Sequence, residues 1–131
     1  MAKLFFMAGT ISGFISVALG AFAAHGLKNQ LTPQLLMTFK TAVDYQFFHA
    51  LALILIALAL LLKPDNSYFT KAGWSMLLGM LLFSGSLYAL ALTGISSLGM
   101  ITPFGGVAFL VGWGLFTLGA WKIDAWSIKN E

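Results

Sequence analysis

The chain lacks cysteine and arginine, and it has few charged residues of any kind. Without cysteine it can form no disulfide, no thiolate metal site and no cysteine nucleophile. Charged residues make up 8% of the 131 residues, whereas a soluble domain carries about 25%. There is too little charge here to cover a surface that faces water, so a soluble globular domain is not expected.

Clusters of basic residues are missing as well, although the net charge is +3. Domains that bind nucleic acid usually show such clusters, so we expect no nucleic-acid partner. The sequence also contains no phosphate-binding glycine loop, no nucleophile elbow and no acid pair at the spacing that glycosidases use. Because no set of nucleophile, base and orienting group can be assembled, we expect that the chain is not an enzyme.

Long apolar runs dominate what is present, since hydrophobic residues make up 60% of the chain. A helix needs about 20 apolar residues to cross a hydrocarbon core of about 30 Å. The runs at 4–24, 46–62, 74–93 and 104–121 are each about that long. The sequence therefore predicts an all-α fold, an integral membrane bundle of four transmembrane helices. No length remains for a second domain, so residues 1–131 are predicted to form one.

The segment before the second run has a different pattern. Thr32 and Pro33 are typical of a helix start, because threonine caps the first turn and proline fits its first position. From 33 to 45 apolar and polar residues alternate at helical spacing. The pattern predicts a short amphipathic helix before the second span, lying on the interface or leading straight into that span.

The first run could be read as a secretory signal, but its length argues against cleavage. A signal h-region has about 7–15 residues, fewer than the run at 4–24. Small residues recur in it at every fourth position, namely Ala8, Ser12, Ser16, Gly20 and Ala24. Such a face lets helix backbones approach closely in lipid, so we expect this span to be retained and to pack through its small residues.

The lysines predict the orientation. Four spans put the N-terminus, the loop at 63–73 and the C-terminal tail on one side of the membrane. That side carries Lys3, Lys63, Lys71, Lys122 and Lys129, and the other side carries only Lys28 and Lys40. The positive-inside rule therefore predicts cytoplasmic termini in a plasma (inner) membrane protein.

Polar residues inside membrane spans are the informative ones, and most of them fall toward the non-cytoplasmic end. Zinc needs three or four protein ligands, and too few are available, so we expect no metal and no cofactor. The candidate ligand-binding residues are His25, Asp44, Tyr45, His49, Ser84, Tyr88, Thr102, Gly105 and Gly106.

Several of these residues have a purely structural interpretation. Asp44 could pair with Lys40 one turn earlier or act as a cation or proton site. Ser84 and Tyr88 could serve close helix packing or line a polar path. The glycines at 105 and 106 could expose a helix N-terminus to an anion, or allow the fourth span to pack against the first.

Two functions therefore remain open. In the first, the protein binds or passes a small solute or ion through an outward vestibule of more than about 300 Å³. That vestibule would be lined by His25, Tyr45, His49, Tyr88 and Thr102. In the second, this is a structural or assembly protein in which the same side chains bond one another and leave no cavity. Membrane lipids are the expected partners, and a homo-oligomer would suit so short a bundle.

A resemblance to a known family spans nearly the whole chain. It is carried by four segments, followed by Gly112 and Trp113; the segments are 20–27, 39–50, 82–88 and 101–106. In that order they resemble the YgdD/YwdK-type family of small bacterial inner-membrane proteins. The resemblance implies four membrane helices and an inner-membrane address. It implies no particular activity, substrate or cofactor.

Overall fold

The computed structural model describes residues 1–123, and these are helical with short connections and no strand. Its elements are α1 (Ala2–His25), α2 (Pro33–Leu62), α3 (Ser67–Gly79), a π-helical segment (Met80–Ser84), α4 (Gly85–Thr93), a short 3-10 helix (Ser96–Met100) and α5 (Thr102–Trp121). Four stretches are long and apolar enough to cross a membrane: Ala2–His25, Pro33–Leu62, Ser67–Thr93 and Ser96–Trp121. The predicted four-span helical fold is confirmed. Lys129, used above for the orientation, lies outside the described residues.

The second span is a single helix of 30 residues, about 45 Å long at 1.5 Å per residue. It begins as the sequence predicts, since the Thr32 hydroxyl accepts a hydrogen bond from the backbone N–H of Leu35 at 3.3 Å and Pro33 occupies the first turn. The amphipathic segment is thus the first turns of α2, and it leads straight into the span.

Helices α1 and α2 pack closely against each other in antiparallel order. A Cβ atom on Gly9 would lie 2.8 Å from the carbonyl oxygen of Ala50, so only glycine allows this approach. Further along, Ser16 is buried and a Cβ atom on Gly20 would lie 3.5 Å from Val43. The predicted packing of the first span through its small residues is confirmed at Ser16 and Gly20, but it is wrong at Ala24, which is exposed while its neighbour Ala23 is buried.

The fourth span packs against the third, mainly α5 against α3 and the π segment. A Cβ atom on Gly105 would collide with the backbone of Phe83, and one on Gly119 would lie 2.5 Å from the ring of Phe69. One of the two interpretations of Gly105 and Gly106, that they let the fourth span pack against the first, is therefore wrong. The glycines of α5 receive the backbone and rings of the third span instead.

The bundle contains two apolar clusters, one toward each end. We call the end that contains residue 1, the turn at 63–66 and Lys122 the terminal end. The opposite end contains His25, Thr32, Gly94 and Thr102. The larger cluster lies toward the terminal end and includes Phe5, Leu53, Ile56, Phe69 and Met76. The smaller one lies at the opposite end and consists of Ala23, Leu27, Phe39 and Ala91. In α2, Gln46 and His49 lie between the residues that belong to the two clusters.

Candidate functional site

His49 lies near the middle of α2 and is 6% exposed. Its Nδ1 is 2.7 Å from the carbonyl oxygen of Tyr45, so this nitrogen carries a proton and donates it. Its Nε2 is then free to accept the indole N–H of Trp113 at 3.2 Å. Both nitrogens have partners in a neutral imidazole, and the ring stacks on Phe109 with centroids 3.4 Å apart. His49 therefore connects α2 to α5.

A groove runs along the surface between α2 and α5 beside this histidine, with a volume of about 510 Å³. Aromatic rings form its floor: Tyr45 stacks on Phe83 with centroids 4.4 Å apart, next to the stacked pair of His49 and Phe109. We call this the aromatic groove, lined by Tyr45, His49, Phe83, Pro103, Gly106, Val107, Phe109, Leu110 and Trp113.

The aromatic groove is apolar and opens sideways. Val107 is 59% exposed and Leu110 is 74% exposed along its edge, where acyl chains would surround the bundle. Gly106 contributes no side chain, and a Cβ atom there would have Phe83 as its nearest neighbour at 4.0 Å. The groove exceeds the predicted size of a vestibule, but its lining is not the predicted polar one.

Gln46 joins three helices by its side-chain amide. Its Nε2 donates to the carbonyl oxygen of Ser12 in α1 at 3.1 Å. Its Oε1 accepts the hydroxyl of Tyr88 in α4 at 2.7 Å. Tyr88 also sets its ring against the edge of Phe39, with centroids 4.9 Å apart. The polar atoms of Gln46 and Tyr88 thus bond to the protein itself.

Thr102 and Ser86 form a second polar link, between α5 and α4. Their hydroxyl oxygens are 2.7 Å apart, and Ser86 also donates to the carbonyl oxygen of Phe83 at 3.0 Å. Ser84, two residues earlier, is buried, and its hydroxyl has no hydrogen-bond partner within residues 1–123. Ser84 is the last residue of the π segment, and the backbone N–H of the next residue, Gly85, bonds to the carbonyl oxygen of Met80 five residues back.

His25 and Asp44 lie away from the groove. His25 is exposed at the end of α1, and its Nδ1 donates to the carbonyl oxygen of Ala21 at 2.9 Å. Asp44 is exposed and lines a shallow groove of about 270 Å³ between α1 and α2, beside Ser16 and Gly20.

The nine candidate residues do not lie together, and the five of them that were predicted to line one vestibule, His25, Tyr45, His49, Tyr88 and Thr102, do not share it, so that expectation is wrong. In the packing of α1 against α2, Gly9 lies opposite Ala50, and Ser12 lies opposite Gln46. This register sets His49 about 20 Å from His25 along the bundle, at 1.5 Å per residue. Of the nine, only Tyr45, His49 and Gly106 line the aromatic groove, while Tyr88 and Thr102 bond within the bundle and Gly105 is a helix contact.

Three groove residues were not among the candidate site residues predicted from the sequence: Phe83, Phe109 and Trp113. Phe109 and Trp113 are four apart, so they share one face of α5, as Tyr45 and His49 share one face of α2. The contact between α2 and α5 could have been predicted from this pattern, in which each helix carries an aromatic i,i+4 pair. One member of these pairs, His49, is a buried imidazole.

Four membrane-crossing helices joined by short connections define this chain as a small multi-pass α-helical membrane protein. The family described as "Protein of unknown function (DUF423)" matches residues 19–106. The chain belongs to that family, and the resemblance found in its motifs is confirmed.

Relatives match over most of their length. The UPF0382 membrane protein YwdK of Bacillus subtilis is 43% identical over 120 residues, 92% of this chain and 98% of the relative. The UPF0382 inner membrane protein YgdD of Escherichia coli is 40% identical over 121 residues, 92% of each chain. A UPF0382 membrane protein of Haemophilus influenzae is 46% identical over 112 residues, 86% of this chain and 89% of the relative. No solved structure shows a significant match.

Proposed function

We propose that the protein is a non-enzymatic binding protein of the membrane, which takes an acyl chain sideways from the bilayer into the aromatic groove. The observation that carries this proposal is the groove itself, about 510 Å³ lined by rings and a glycine between α2 and α5. Pockets for small ligands are of about 300–1,000 Å³ and mostly apolar, with few polar groups.

The hydrogen bonds of the spans support an apolar ligand over a polar solute or ion. Both nitrogens of His49 have protein partners, and so do both side-chain ends of Gln46. A buried polar group that already has its partner gains little from a ligand. Apart from the hydroxyl of Tyr45, the groove therefore offers an incoming molecule ring surface and the edge formed by Val107 and Leu110.

A photoreactive fatty acid carrying a diazirine on its chain tests this proposal in lipid nanodiscs. We expect crosslinks to concentrate on the groove residues of the unmodified protein. Gly106→Leu should abolish them, because its side chain would project from a position with open space into the groove. Gly114→Leu is the matched control, since a Cβ atom there meets nothing within 4 Å and the residue does not line the groove. Labelling spread evenly over lipid-facing side chains, or unchanged by Gly106→Leu, would contradict the proposal.

The second candidate is a structural or assembly role, which the same closed hydrogen bonds favour. In that case the links from Gln46 to Tyr88 and from Ser86 to Thr102 hold the helices together and serve no ligand. This role predicts that Gly106→Leu changes neither lipid labelling nor behaviour in cells, whereas Gln46→Leu lowers the amount of folded protein. A homo-oligomer belongs to this candidate and is measured by mass photometry in nanodiscs.

We propose further that the protein lies in the inner membrane with both termini in the cytoplasm. The lysine distribution supports this orientation, and a relative in Escherichia coli is named an inner membrane protein. Because the chain has no cysteine, single cysteines report the side directly. A membrane-impermeant maleimide should label Asn29→Cys in intact cells and Asp65→Cys only after lysis. The reverse pattern would contradict the proposed orientation.

A further inference from the structure

A second pocket, of about 440 Å³, lies at the terminal end of the bundle. Its position is where the turn between α2 and α3 meets the end of α5. We call it the basic pocket, lined by Lys63, Pro64, Asp65, Asn66, Ser67, Tyr68, Lys122 and Ile123. It lies on different residues from the aromatic groove and does not depend on the function proposed above.

Asn66 holds the shape of this pocket. Its side-chain oxygen accepts hydrogen bonds from the backbone N–H groups of Tyr68 and Phe69, at 3.1 and 3.4 Å. Its side-chain nitrogen donates to the carbonyl oxygen of Gly119 at 3.0 Å. One residue thus caps α3 and attaches the turn to the end of α5, so the walls of the pocket are fixed relative to each other.

The charge around the pocket is positive. Lys122 Nζ donates to the hydroxyl of Tyr68 at 2.8 Å and lies 4.6 Å from the centroid of that ring, which places its charge at the wall. Lys71 approaches the same ring from 5.9 Å, and Lys63 lines the pocket directly. Within residues 1–123, the pocket is lined by one carboxylate, Asp65, and by two lysines, and Lys71 adds a third positive charge nearby.

We infer that the basic pocket binds the phosphate of an anionic phospholipid headgroup. Compact ammonium groups bind phosphate as point charges, and basic residues next to a span attract anionic lipids. The residues adjacent in sequence argue for a lipid over a free anion. Leu62 is 80% exposed and Trp121 is 86% exposed, so acyl chains can lie along them while the headgroup occupies the pocket between Lys63 and Lys122.

The test compares phosphatidylglycerol with phosphatidylcholine added to the purified full-length protein in a neutral detergent. We expect phosphatidylglycerol to raise the melting temperature and to stay bound in native mass spectrometry, and phosphatidylcholine to do neither. Replacing both wall lysines, by Lys63→Gln and Lys122→Gln, should weaken binding about 30-fold, the factor that corresponds to about 1 kcal/mol for each lysine.

The matched control removes the same charge at the opposite end of the bundle, by Lys28→Gln and Lys40→Gln, and should leave phosphatidylglycerol binding unchanged. Melting without added lipid reports whether each double variant folds, and a single Lys63→Gln variant serves if the double one does not. Equal stabilisation by the two lipids, or equal weakening in the control pair, would overturn the inference. Full stabilisation by inorganic phosphate at the same concentration would also overturn it, because the site would then take free anions.

Discussion

The contact between His49 and Trp113 gives the sharpest prediction about how the bundle is held together. Replacing His49 by alanine removes the hydrogen bond that the ring accepts from the Trp113 indole at 3.2 Å and the stack on Phe109. Hydrogen bonds between membrane helices average about 0.6 kcal/mol, and an aromatic pair contributes about 0.5–1.5 kcal/mol beyond its buried area. With the cavity left by a side chain that is 6% exposed, we expect a loss of about 2–3 kcal/mol in the free energy of unfolding.

The free energy of the hydrogen bond between His49 and Trp113 can be isolated by a double-mutant cycle that combines His49→Ala with Trp113→Phe. That change removes the N–H donor and keeps an aromatic ring, so the coupling free energy with His49→Ala should be about 0.6–1.7 kcal/mol. The assay is reversible unfolding in mixed micelles with increasing dodecyl sulfate. Lipid labelling of the aromatic groove is measured in parallel, since His49 also lines that groove.

His25 supplies the matched control, because it is the other histidine of the chain. It is exposed and its ring donates to its own helix, so His25→Ala should change the unfolding free energy by less than about 0.5 kcal/mol. The reasoning is refuted if His25→Ala destabilises as much as His49→Ala, or if the coupling of His49 with Trp113 is zero.

Three further sets of substitutions have expected outcomes measured by the same unfolding assay. Gly105→Ala should destabilise by about 1–3 kcal/mol because its Cβ meets the backbone of the third span, whereas Gly106→Ala, with open space, should be close to neutral. Gln46→Leu and Tyr88→Phe should each destabilise by about 1 kcal/mol, and the double variant by less than their sum, because each single change leaves the other partner of a 2.7 Å bond unpaired. Ser84→Ala should stabilise by about 1 kcal/mol because it removes a buried hydroxyl that has no partner in the described part of the chain, 1–123.

Each of these predictions has a contradicting result. Equal losses at the two glycines would mean that the third span does not press on Gly105. Strict additivity of the Gln46 and Tyr88 changes would mean that the two side chains do not bond to each other. A loss of stability in Ser84→Ala would show that its hydroxyl has a partner, such as an internal water.

The sequence predicts the spans well because hydropathy reports directly on length and environment. The start of α2 at Thr32 and Pro33 and the small-residue face of α1 follow from local rules, namely capping and close backbone approach.

What the sequence does not predict is which faces meet. In lipid the outside of a helix is as apolar as its inside, so hydropathy does not separate the exposed Leu110 from the buried Phe109. The register that separates His49 from His25 depends on the fit of Gly9 against Ala50, a property of shape. The π segment has no marker in composition, and no local rule anticipates it.

That π segment has a consequence for how the third span can vary. It sets the two halves of one helix out of phase, so that α3 presents its main contact surface to α5 and α4 presents its own to α2. Each half can then accept substitutions suited to its own neighbour without rotating the other.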